Sequence, residues 1–218
     1  MTKRKTSTRV DGEITRQRIL EAAGRLFAEN GFAETTSKSI ATEAGVDLAS
    51  INYHFGSRNG LYQKVLAEAH SSIIDIDKLH DILQRHTEPK TQLKSFIALL
   101  CDSAGHGKGW QAQTLAREIL APTSNLSILF SEELEPKIML IKQLISKITN
   151  IPVTSPEVSV CLINIMAPCI VMILGGTSIP GPLHEASQLP QTEIINHFYR
   201  FAIAGLDATA EHYQKAHA

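Results

Sequence analysis

Residues 36–62, TSKSIATEAGVDLASINYHFGSRNGLY, constrain this chain more than any other stretch. Ser37 to Ala44 has helical spacing, with Ile40, Ala41 and Ala44 on one face. Gly45 follows and supplies the permissive backbone that a tight turn between helices needs. Val46 restarts the buried set, and Leu48 to Phe55 forms a second helix anchored by Ile51 and Phe55. Alanine at position 41 lets the two helices cross closely, where a bulky side chain would hold them apart. Two short helices joined in this way make a helix-turn-helix, whose second helix enters the DNA major groove.

Any small helical hairpin can carry Ala, Gly and Ile at such spacings, so the flanking sequence decides. ILEAAGRLFAENGF precedes the motif as an amphipathic helix with Ile19, Ala23, Leu26 and Phe27 in its apolar stripe. Asp11 or Thr15 can cap its start, and Gly31 stops it. FGSRNGLY follows the motif and opens a fourth helix capped by Ser57, with Leu61, Val65 and Leu66 on its inner face. These three motifs in order, across Ile14 to Tyr62, resemble the DNA-binding domain of TetR-family transcriptional regulators. The resemblance covers about a quarter of the chain. A looser one, LAREILAPTSNLSILFSEELEPK, is similar to the C-terminal domain of the CecR-like subgroup.

The family resemblance implies a division of labour on DNA. Specific recognition needs groups that fix register on phosphate and groups that meet base edges. Leu48, Ala49 and Asn52 match the base-reading positions. Asn52 can bond adenine through two hydrogen bonds, while Leu48 and Ala49 can touch a thymine methyl. Ser50, Tyr53 and His54 match phosphate-binding positions, as do Thr36, Ser37 and Lys38 at the start of the preceding helix. Arg58 stands where the family commonly carries lysine, and Asn59 where an acid is usual. Gly60 weakens the first turn of its helix, and Asn52 replaces an aromatic residue common in relatives.

Net charge is -1, so the whole-chain balance indicates no particular partner. Its distribution is more informative: residues 1–60 carry net +2 and the remainder net -3. Lys3, Arg4, Lys5 and Arg9 form a basic arm, residues 1–12, that reads as disordered and suited to following phosphates. With 43% hydrophobic residues, the 218-residue chain can bury a sizeable core. Its three cysteines and polar N-terminus fit a reducing, cytoplasmic setting. Cys161 and Cys169 are eight positions apart, about 12 Å along a helix, too far to bridge, and read as small core residues.

Beyond residue 60 the helical pattern continues in segments spanning 74–85, 90–104, 110–120, 126–148, 156–174 and 192–215, with Pro136 as a kink or break. The fold is therefore all-α: residues 13–60 form a three-helix helix-turn-helix domain, and residues 61–218 a helical effector-binding and dimerisation domain. Val158 to Leu174 is seventeen residues and almost wholly apolar, at the short limit for a membrane span. Asn164, Pro168 and the lack of flanking basic residues favour a helix buried on nearly all sides in a soluble protein. In TetR-like proteins the final two long helices pair with their copies in a second subunit, so homodimerisation there is expected. The family resemblance also implies a small-molecule effector, with Phe96, Leu100, Trp110, Leu115, Arg117, Phe130, Met139 and Met166 as pocket candidates, joined by Glu118 and Met172.

Other function classes lack the residues they need. GHGKG, residues 105–109, is read as a flexible connection, without the preceding strand and the Lys-Ser/Thr pair of a phosphate loop. His80 with His86, and His212 with His217, do not share a helix face, so no metal site is expected. No nucleophile–base arrangement points to an enzyme, and no cofactor is implied. The chain reads as a homodimeric repressor that leaves a palindromic operator on binding an apolar or amphipathic effector. The competing reading is a helical interaction protein whose motif has lost DNA binding.

Overall fold

The computed structural model describes residues 4–105, 109–175 and 179–217, without the side chains of 4–10 and 103–105. Twelve α-helices and no strand occur among the described residues. They are α1 (Arg4–Glu34), α2 (Ser37–Ala44), α3 (Leu48–Phe55), α4 (Arg58–Ile73), α5 (Ile76–Arg85) and α6 (Pro89–Gly105), followed by α7 (Trp110–Leu120) and α8 (Asn125–Leu129). One wider π-type turn, Phe130–Leu134, leads into α9 (Glu135–Thr149), then α10 (Pro156–Gly175), α11 (Pro182–Ser187) and α12 (Gln191–His217).

The chain forms two compact units. The first holds residues 1–70 and 109–130, the second residues 71–108 and 131–218. The sequence places its boundary at residue 60, whereas the first compact unit runs on through most of α4 and takes in α7 and α8. Ile19, Leu20, Ala23 and Phe27 of α1 are buried there with Ile40 and Ala44 of α2 and Leu61, Val65 and Leu66 of α4. Helix α7 packs along α1. Its Trp110 lies on Gly24, where a Cβ would come within 2.4 Å of the indole, and donates Nε1–H to Glu21 at 3.0 Å. Arg117 donates to the Ala28 and Glu29 carbonyls at 2.6 and 2.8 Å.

The second unit is built on a core of Leu93, Phe96, Ile97 and Leu100 from α6 against Ile141, Leu144 and Ile145 from α9. Val158, Ile165 and Cys169 of α10 and Leu206 of α12 complete it. Buried Gln92 closes the α5–α6 connection, donating Nε2–H to the Leu83 and His86 carbonyls at 2.8 and 2.6 Å.

Several segment readings change. Helix α1 begins at Arg4, inside the stretch expected to be a disordered arm; the side chains of Lys5 and Arg9, and all of Lys3, lie outside the described residues. Non-helical dihedrals at Gly31 (φ 79°, ψ 170°) break α1 where the sequence places its stop. Pro136 sits in the first turn of α9, directly after the π-type turn, and helical backbone runs without a gap from Asn125 to Thr149, so the run 126–148 is continuous through a wider turn rather than broken. Residues 106–108 of the GHGKG connection lie outside the described residues, and a short helix, α11, occupies part of the Gly/Pro-rich 175–190 segment.

Helix α10 is not buried on nearly all sides. Val160, Ile163 and Val171 are 55%, 62% and 51% exposed, while Val158, Ile165 and Cys169 on the opposite side are buried. Among the described residues, it is the one helix long and apolar enough to cross a membrane by length and composition. Its buried side nevertheless packs on α6, α9 and α12.

Candidate nucleic-acid interface

The interface is built from the caps inward. Thr36 adopts an extended backbone and forms a capping box: Ser39 N–H donates to Thr36 Oγ1 at 3.0 Å, and Thr36 N–H donates to Ser39 Oγ at 3.1 Å. Two orphan donors at the start of α2 are thereby satisfied. Gly45 ends α2 in the left-handed region (φ 62°, ψ 44°), where a side chain would be strained. A Cβ there would also lie 2.9 Å from Arg18 Nη2, which donates to the Ala44 carbonyl at 2.6 Å. Arg18 thus ties α1 to the turn, a role that no local motif in the sequence announces.

Asp47 caps α3, accepting the Ala49 N–H at 3.1 Å. Ile51 is the one fully buried residue of this helix and pins its inner face. Around it, Leu48, Ala49, Asn52 and Tyr53 are exposed, and Ser50 and His54 are half-buried. Tyr53 is 84% exposed, which excludes packing on α1, and meets the His54 ring edge-on at 4.9 Å. Thr36 and Lys38 are exposed and Ser37 half-buried at the start of α2. The Thr36 hydroxyl already serves the cap, so its availability to a phosphate is reduced.

Arg58 is held differently from the other nine sequence-derived positions. Its Nη1 donates to the Phe32 and Thr35 carbonyls at 3.1 and 2.6 Å, and the guanidinium lies 4.3 Å from the Phe32 ring centroid. Those bonds clamp the α1–α2 connection to α4, and the charge is directed into the unit rather than presented on its surface. Thr35 reinforces the same corner, donating to the Leu26 and Gly31 carbonyls at 3.1 and 2.8 Å.

A second set of residues fixes α4 and is not visible in sequence. The Tyr62 hydroxyl donates to fully buried Glu118 at 2.8 Å, and Glu118 also accepts from the Thr123 N–H and hydroxyl at 3.0 and 2.8 Å. Burial first, then the Glu118 carboxylate, push the Tyr62 phenol above its ordinary value, so it stays protonated and donating. Glu118 and Arg117, candidates for a polar ligand, are therefore occupied in holding α7 in the first unit.

The eight pocket candidates divide between the two units. Trp110, Leu115, Arg117 and Phe130 belong to the first unit, and Phe96, Leu100, Met139 and Met166 to the second. Phe96 and Leu100 are fully buried core, and Phe130 and Met139 are 45% and 43% exposed. A cavity of about 610 Å³ is an open groove between α10 and α12, lined by Cys161, Asn164, Pro168, His197, Phe198 and Phe201 among others.

Comparison with known proteins fits this geometry. Residues 19–65, which contain α2, α3 and the cap of α4, match the model of bacterial regulatory proteins of the tetR family. Residues 89–206, more than half of the chain, match the C-terminal domain of the HTH-type transcriptional dual regulator CecR. The chain belongs to the tetR family of regulators. That family is one of DNA-binding regulators and not of enzymes. Similar curated relatives include two from Pseudomonas putida. The probable HTH-type transcriptional regulator ArpR is 36% identical over 86 residues, and the HTH-type transcriptional regulator TtgR is 35% identical over 86 residues. Each match covers 39% of this chain and 38% of the relative, so less than two fifths of either relative's length is spanned.

Solved structures extend the likeness of fold to nearly the whole chain. The fatty acid degradation regulator FadR from Bacillus halodurans aligns with a TM-score of 0.65 at 17% identity, covering 88% of this chain and 96% of that one. The ketosteroid regulator KstR2 of Mycobacterium tuberculosis aligns with a TM-score of 0.60 at 19% identity, covering 87% and 93%. At such identities the family architecture is shared: an N-terminal helix-turn-helix followed by a C-terminal helical domain.

Proposed function

We propose that the protein is a cytoplasmic, homodimeric transcriptional repressor that binds a palindromic DNA operator and releases it when a small apolar or amphipathic effector binds. The observation carrying this reading is helix α3: capped at Asp47, pinned by Ile51, and exposing Leu48, Ala49, Asn52 and Tyr53 on its outer side. An eight-residue helix with that one-sided burial is rigid enough to present side chains to base edges. Leu48, Ala49 and Asn52 are proposed to read bases, with Ser50, Tyr53, His54, Ser37 and Lys38 on phosphates.

Dimerisation is proposed through α10 and α12. Val160, Ile163 and Val171 of α10 and Phe201 of α12, 79% exposed, leave apolar surface that one chain alone does not cover. Functionally, residues 13–60 carry the DNA contacts and residues 61–218 the effector and dimer functions. Within the second unit, the half-buried Met166 and the exposed Met139 are the adaptable side chains left for an effector among the original candidates. An effector must favour the DNA-incompetent conformation, by about 1–3 kcal/mol for a typical coupling.

The test is binding to DNA flanking the protein's own gene across a salt series. Tight binding to one fragment that weakens steeply as salt rises is expected from phosphate contacts. Equal affinity for random DNA at every salt concentration would contradict specific operator recognition.

A further inference from the structure

Glycine inside a helix costs stability relative to alanine, so its presence there needs a reason. Gly24 and Gly60 have theirs within the chain, since a Cβ at either would stand 2.4 Å from Trp110 or the Phe55 carbonyl oxygen. Gly205, in the interior of α12, has no such reason. Its φ is not positive, and a Cβ there would meet nothing within 4 Å. It is exposed and lines the open groove between α10 and α12. We propose that α12 of a second copy of this chain seats in that groove and crosses over Gly205, whose missing side chain sets how closely the helices approach. The placement rests on the dimer reading above and locates its contact.

The chemistry of the groove selects the occupant. None of its lining residues is Asp, Glu, Lys or Arg, and α10 carries no such residue after Glu157. A charged segment would lose its solvation there without gaining a counter-charge. Helix α12 itself supplies a matching surface. Its exposed His197, Phe201, Ala204 and Ala208 recur at intervals of four, three and four residues, the alternation of helices packed nearly side by side. Val160, Asn164, Ala167, Val171 and Leu174 of α10 are exposed at the same alternation.

A two-fold axis makes such a contact self-complementary, because each copy offers both a stripe and a groove. Phe201 supplies the bulk, and Gly205, one helical turn on, the room. The Thr209 hydroxyl in the groove already donates to the Gly205 carbonyl at 2.8 Å, so it asks nothing of the second copy. A copy docked out of register would bury Asn164 and His197 unpaired, which disfavours the wrong alignment.

Sedimentation velocity on a dilution series of the full chain would compare wild type, Gly205→Ala, Gly205→Leu and Phe201→Asp, with circular dichroism reporting helix content. Wild type is expected to dimerise and Phe201→Asp to be monomeric, which is the dimer reading itself. Gly205→Leu is expected to keep its helix content and to weaken dimerisation about 100-fold, and Gly205→Ala about tenfold. In a Phe201→Asp background the sign reverses. There Gly205→Ala should raise the urea midpoint, because alanine favours the helix and displaces nothing of its own chain. Dimerisation of the Gly205 variants at wild-type affinity, with Phe201→Asp monomeric, would overturn the crossing and leave the dimer reading standing. If Gly205→Leu loses helix content, Gly205→Ala decides by the same criterion. A monomeric wild type, including one whose groove carries a co-purified lipid, or a dimeric Phe201→Asp protein, would overturn the dimer reading and the crossing with it.

Discussion

Helices α3 and α10 both leave one side uncovered in the single chain, and the uncovered sides differ in kind. On α3 the outer side mixes an amide, a phenol and small apolar groups, each able to meet a different atom of a base edge or phosphate. On α10 it is a row of aliphatic side chains, Val160, Ile163 and Val171, next to Phe201 of α12. Hydrogen-bonding capacity suits α3 to nucleic acid, and uniform apolarity suits α10 to another protein surface. Exposure alone does not distinguish the two helices. Side-chain chemistry does.

The largest expected effect breaks the apolar side of this comparison. Phe201→Asp places a charge within the proposed dimer surface, where its desolvation would oppose association. Sedimentation velocity should show monomer, and operator affinity should fall about 100-fold or more, because two linked half-site contacts become one. A dimer of unchanged stability would move the interface elsewhere. Next comes the anchor of α3. Ile51→Ala empties a fully buried position and should cost about 2–5 kcal/mol of stability, measured by urea unfolding.

Asn52→Ala sharpens the polar side. Selection from a randomised operator library should show relaxed preference at one base step, with a cost of about 1–3 kcal/mol on the best site. Equal loss on every sequence would make Asn52 a positioning residue. The smallest effect concerns Arg58. Arg58→Lys keeps the charge but cannot reproduce the Phe32 and Thr35 carbonyl bonds, so stability should drop by about 1 kcal/mol while the salt slope of DNA binding stays unchanged. A shallower salt slope at wild-type stability would instead put Arg58 on a phosphate.

The helix-turn-helix is legible in sequence because its determinants are local. Ile40, Ala41, Ala44 and Ile51 follow helical spacing, and Gly45 stands at the turn that requires it. Ser57 is readable as a cap for the same reason, and the Gly60 N–H does donate to Ser57 Oγ at 3.0 Å. Gly60 itself reads as a weakness by helix propensity alone. In the folded chain a Cβ at that position would stand 2.4 Å from the Phe55 carbonyl oxygen, so the small residue lets α3 and α4 meet.

What stays hidden depends on residues far apart in the chain. Tyr62 and Glu118 are separated by 56 positions, and Trp110 reaches Glu21 across 89. No periodicity marks such pairs, and a buried glutamate in an apolar helix reads equally well as a ligand contact. Effector-lining residues are hard to read for a related reason: apolar side chains at helical spacing record burial, and burial in a core looks the same in sequence as burial around a cavity.

Hydroxyl-radical footprinting on the DNA fragment bound in the salt series tests most directly whether α3 of each protomer reads one half of a palindrome. Two protected patches related by symmetry are expected, centred about 34–36 Å apart, one helical turn of DNA, and absent when the Phe201→Asp protein is used. A single asymmetric patch, or two symmetric patches retained by a monomeric variant, would contradict a dimer presenting two copies of α3.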